Sequence, residues 1–108
     1  MSKDYSPDLQ KLFIEMMMQD AQSYVRVQNI YNPENFDRSL RDVAKFIKQH
    51  SDDHKSLPTI DQVKAVTGVE LKHVPDLQED HYNWFMTEFE GFTKRQELER
   101  AKIGRAHV

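Results

Sequence analysis

The stretch from Glu79 to Phe92, EDHYNWFMTEFEGF, decides the fold. Tyr82, Phe85, Met86, Phe89 and Phe92 recur at spacings of three and four, the period of an amphipathic helix. Trp84 falls off that stripe and is expected to project sideways from it. Acids gather where such a helix begins (Asp76, Glu79, Asp80), which suits the positive end of its dipole. Gly91 reads as a weak point, costing about 1 kcal/mol relative to Ala. The pattern predicts a long helix over about residues 77–103. After Phe92 its apolar face thins to Leu98, Ala101 and Ile103, and a helix that continues without its apolar face usually leaves the domain or meets another chain.

Upstream, Thr59-Ile60-Asp61-Gln62 is a capping box: the threonine hydroxyl serves the N3 amide while the glutamine reaches back. It opens a short helix with Ile60, Val63 and Val66 inward. Gly68 ends that helix, and Val69–Pro75 connects it to the long one. Before it, Phe36, Leu40, Val43, Phe46 and Ile47 form the stripe of a helix over about 37–54. Asp20 can cap a helix over 21–30, with Tyr24, Val27 and Ile30 inward and Asn32-Pro33 as its breaker. Ser6-Pro7 has the chemistry of an N-cap and first helical residue, followed by a stripe of Leu9, Leu12, Phe13, Met16 and Met17. Pro7, Pro33, Pro58 and Pro75 each stand near a helix start. The expectation is an all-α fold, a compact bundle of about five helices in one domain (1–108). A head spans about 6–75, and a long C-terminal helix leaves it.

The composition fits this. A chain of 108 residues buries roughly 65% of its extended surface, enough for one modest core. The apolar share is 38% and the charged share 31%, yet one Trp, six Phe and four Tyr argue against disorder. With no cysteine, disulfides, thiolate metal sites and thiol catalysis are excluded. A net charge of −3 argues against a dedicated nucleic-acid binder. Acids dominate residues 61–90 and bases residues 91–108, which matches the dipole of a long helix and equally suits a charged partner surface. No stretch approaches the ~20 apolar residues of a membrane span. The polar Met1-Ser2-Lys3-Asp4 lacks a signal-peptide core. A soluble intracellular chain is the expected setting.

Patterns that carry chemistry are scarce. Three glycines cannot build a G-x-x-x-x-G-K-[ST] phosphate loop, and neither H-E-x-x-H nor G-x-S-x-G occurs. No catalytic residues and no cofactor are expected. His50 and His54 share a helical face, but no third ligand is evident and no metal is expected. Asp80-His81 point in different directions on a helix. Thr59 to Leu77 reads loosely as helix-turn-helix, which makes a small DNA-binding regulator the alternative function. Its reading segment is poor, with Pro75 inside it and Asp76, Glu79 and Asp80 facing phosphates. The remaining signal is apolar excess. Trp84 suits either a helix contact or an interface anchor, and the Met16-Met17-Met18 run suits either core filling or an adaptable binding face. Candidate interface residues are Trp84, Phe85, Phe89, Phe92, Met17 and Met18.

Three blocks carry a resemblance. Leu12 to Asp20 (LFIEMMMQD) is followed some 15 residues later by Glu34-Asn35-Phe36. Val43 to Lys48 (VAKFIK) is followed by His54 to Ile60 (HKSLPTI). Glu79 to Phe85 (EDHYNWF) is followed by Phe92 to Gln96 (FTKRQ). Over roughly residues 9–101 this order resembles the N-terminal domain of DnaB-type replicative DNA helicases, and most closely their T-even-phage branch. Gly68-Val69-Glu70-Leu71 departs from the pattern, and Gly104 to Val108 fits neither it nor a helix. The resemblance implies a non-catalytic assembly and protein-interaction domain for DNA replication. In that family an ATPase motor follows downstream, the N-terminal domains pair and build a collar on a hexameric ring, and they help dock primase. Self-association and primase are therefore the implied partners, with little direct nucleic-acid contact.

Overall fold

The computed structural model describes residues 5–74 and 77–105, the last four of these by backbone alone. Among the described residues five α-helices and a 3₁₀ turn follow one another: α1 Pro7–Gln19, α2 Ala21–Val27, the turn Pro33–Asn35, α3 Arg38–His54, α4 Ile60–Thr67 and α5 Glu79–Arg105. The described residues contain no strand. The all-α architecture with a long last helix is as the periodicity predicts.

Side chains of the expected type start the elements. Ser6 Oγ accepts from the Leu9 N–H at 3.3 Å, Asp20 from Gln22 at 3.1 Å, Asn32 from Glu34 at 3.0 Å and Asp37 from Ser39 at 3.0 Å. Each satisfies a backbone donor that has no partner within its helix. Hydrogen bonds from the Ser39 side chain and amide hold the Asp37 carboxyl below its usual range. The capping box is complete: Thr59 Oγ1 accepts from the Gln62 N–H at 3.0 Å and Gln62 Oε1 from the Thr59 N–H at 2.8 Å. Gly68, at φ 79°, closes α4 in the left-handed region where a side chain is strained.

The core is an aromatic stack between α1, α5 and the segment leading into α3. Phe13 meets Phe85, Phe89 and Phe92 at ring-centre distances of 5.9, 5.7 and 5.7 Å. From the other side Phe36 meets Phe89 and Phe92 at 6.2 and 5.3 Å. Such tilted and edge-on pairs add about 0.5–1.5 kcal/mol each beyond area burial. Tyr31 lies buried beneath, its hydroxyl donating to the Ala44 carbonyl at 2.6 Å. Burial pushes its phenol well above the ordinary value.

Long-range polar contacts also pin the elements together. Gln10 donates through Nε2 to the Tyr5 carbonyl at 2.8 Å and accepts the Asp37 N–H at 2.6 Å. The buried Glu15 carboxylate accepts the Lys72 N–H at 2.7 Å, fastening the connector to α1. Gln96 Nε2 donates to the Asn35 carbonyl at 2.7 Å, tying α5 to the 3₁₀ turn.

Three expectations change. Helix α2 stops at Val27 instead of residue 30, and the Ile30 N–H turns back to the Val27 carbonyl at 2.9 Å. Val66 is 62% exposed: α4 has only eight residues, and Val63 alone of it is fully buried. Gly91 is not a simple weak point, because a Cβ there would stand 2.8 Å from the Tyr5 hydroxyl. The expectations for Pro75, Asp76 and the Ile103 side chain, and for most of Gly104–Val108, lie outside the described residues.

Candidate interaction surface

Leu12 and Met16 stand four apart on α1 and so share one face. Val74 and Leu77 of the connector cross beside them, and His81 and Trp84, three apart near the start of α5, complete the rim. Together they line an apolar groove of about 290 Å³. Met16 is its buried floor, and Trp84 is 41% exposed at its edge. The indole leans on Phe13 at 6.2 Å between ring centres, so one side of it packs on the core and the rest faces outward. The His81 ring is held in place because its Nδ1 accepts the Gln78 N–H at 3.0 Å. That bond repeats the capping-box logic with an imidazole at the third position.

The six expected interface residues separate. Phe85 and Phe92 are 0% exposed, Phe89 is 1% and Met17 is 0%. Their contacts are within this chain, so they offer no surface to a partner, and they are corrected from interface to core residues. Phe13 and Phe36 supply the facing aromatic surface that makes this possible. Met18 is half-buried against the core. Trp84 alone of the six combines a large apolar body with real exposure. Among the described residues Val25, Val66 and Leu98 are further exposed aliphatics, with Leu98 on the part of α5 where the stripe thins.

Leu12, Val74, Leu77 and His81 were absent from the expected set. Leu12 reads as core, and the connector has no periodicity to mark Val74 or Leu77. His81 had a signal, since it lies one turn before Trp84.

The surface has little catalytic chemistry to offer. His81 Nδ1 is taken by a backbone amide, and Asp80 sits in the first turn of α5, as helix polarity favours. Among the described residues no group of three or more His, Asp or Glu could hold a metal ion. After Gly68 the backbone of residues 69–74 is non-helical, so the second helix of a helix-turn-helix is missing there. No described helix is long and apolar enough to cross a membrane. Comparison with protein-family models, curated proteins and solved structures returned no match.

Proposed function

We propose that this chain is a non-catalytic assembly domain of the kind that heads a phage-type, DnaB-like replicative helicase. It acts by burying apolar surface against further copies of itself and against primase. The observation that carries the reading is Trp84, 41% exposed beside an apolar groove at the root of a long helix. Tryptophan is enriched among the hot spots of protein interfaces, where truncation costs about 2 kcal/mol or more. The order of elements supports it too: a first helix ending in an acidic turn, an aromatic opening α3, a Pro-Thr entry to short α4, then a long helix. The rival reading, a small DNA-binding regulator, finds no support in the non-helical backbone of residues 69–74.

The test is Trp84→Ala, read by sedimentation equilibrium and thermal melting together. Self-association should weaken by about thirtyfold, the equivalent of ~2 kcal/mol. The fold should lose only the indole's own packing, including a tilted ring pair worth about 0.5–1.5 kcal/mol, so melting should fall by several degrees without loss of the folded state. A large melting loss with unchanged association refutes the proposal. So does a strict monomer that takes up neither a second copy nor purified primase.

A further inference from the structure

The C-terminal end of α3 carries a pair of imidazoles that the proposed assembly role does not use. His50 and His54 stand one turn apart, with ring centres 4.5 Å from each other. His50 is half-buried and rests on Phe46, 5.7 Å between centres, which limits its freedom to turn away. Among the described residues no hydrogen bond or ion pair occupies either ring. The neighbouring acids are engaged: Asp52 pairs with Lys48 at 3.3 Å and Asp53 accepts from Gln49 at 3.0 Å. His54 is the last residue of the helix, and Lys55 follows at φ 58°. The pair therefore sits at the negative end of the α3 dipole, which favours a cation.

With a nitrogen of each ring turned to one ion, the ring spacing favours one coordination angle over another. An imidazole nitrogen binds a first-row ion at ~2.0–2.1 Å, which places the ring centre roughly 3.2 Å from the metal. Two such ligands at a right angle have centres roughly 4.5 Å apart, and at the tetrahedral angle roughly 5.2 Å. The observed separation of 4.5 Å equals the right-angle value. The geometry points to a two-histidine chelate at His50 and His54 for a divalent ion of square-planar or octahedral preference, Cu²⁺ or Ni²⁺, with water in the remaining positions. Right-angle N-donor sets suit these ions, and Cu²⁺ heads the affinity series. Among the described residues no third side chain joins the set, so the ion staples the last turn of α3 and leaves its other positions open.

The experiment titrates CuSO₄ and NiCl₂ into the untagged chain, followed by calorimetry and, for copper, electron paramagnetic resonance. One Cu²⁺ should bind per chain with two nitrogen donors. His54→Gln should weaken it by ~10-fold or more, a loss of the size that follows damage to a metal's ligand environment. The exchange Asp52→His with His54→Asp keeps composition and charge but moves the second imidazole two residues from the first. It should weaken binding equally, because residues two apart on a helix do not face each other. Unchanged affinity in either variant overturns the assignment and transfers the bound ion to other histidines. So does wild-type binding no tighter than that of His54→Gln.

Discussion

The contact between Tyr5 and Gly91 makes a quantitative test of the packing. A glycine inside a helix costs about 1 kcal/mol relative to alanine, so Gly91→Ala should stabilise α5 by that amount if nothing else changed. Something else must change, because the new Cβ would lie 2.8 Å from the Tyr5 hydroxyl oxygen. The Tyr5 ring must swing away, and it gives up its contact with Phe92, 5.4 Å between centres. That contact is worth about 0.5–1.5 kcal/mol. The two effects nearly cancel, and Gly91→Ala alone should be close to neutral. Tyr5→Phe alone should also be close to neutral, since no hydrogen bond to the hydroxyl is formed among the described residues. Together the substitutions keep the ring on Phe92, remove the clashing oxygen and retain the helix gain. The double variant should be about 1 kcal/mol more stable than the parent, a melting rise of roughly 4–8 °C for a domain of this size. The assay is urea denaturation of all four proteins as a double-mutant cycle. A coupling below about 0.3 kcal/mol, within the scatter of independent sites, would show that Tyr5 does not sit against α5 as described.

Two further outcomes follow from buried polar groups. Glu15→Ala removes the acceptor of the Lys72 N–H; the loss of a charged, buried hydrogen bond should cost about 1.5–3 kcal/mol. Hydrogen exchange at the Lys72 amide should quicken more than exchange in α3, and unchanged protection there would contradict the role given to Glu15. For Tyr31, burial raises the folded phenol well above its ordinary 10.0. A raised folded value means the folded state holds the proton longer than the unfolded chain. The stabilisation is thus complete below pH about 10 and is lost as pH climbs from there toward the folded value. Tyr31→Phe should flatten the fall in urea stability above pH about 10, while costing about 1 kcal/mol at neutral pH through the Ala44 bond. An alkaline slope as steep as the parent's would refute it, even though Tyr24 and Tyr82, also raised, leave part of the slope in place.

Helix periods and caps were legible because they are local: Ser6, Asp20 and Thr59 act within three residues of themselves. What the sequence did not reveal was capacity. The aromatic stripe of α5 looked too large for so small a body to hide, and so Phe85, Phe89 and Phe92 read as partner contacts. The head absorbs them because Phe13 and Phe36, 23 positions apart in sequence (36 minus 13), converge on that stripe. Convergence of that kind depends on the crossing of α1 and α5, which periodicity does not encode. The same is true of Tyr5 against Gly91 and of Glu15 with Lys72, 57 residues apart. Trp84 was legible for the opposite reason, since its angular offset from the stripe is a local property of the helix.

The anchorage of α5 has a mechanical consequence. The helix runs 27 residues, about 40 Å, and its last long-range tie described is Gln96 on Asn35. From there to Arg105 the helix continues for roughly 13 Å. Its angle is set by where Phe85, Phe89 and Phe92 seat, so a small tilt at that hub is magnified at the tip.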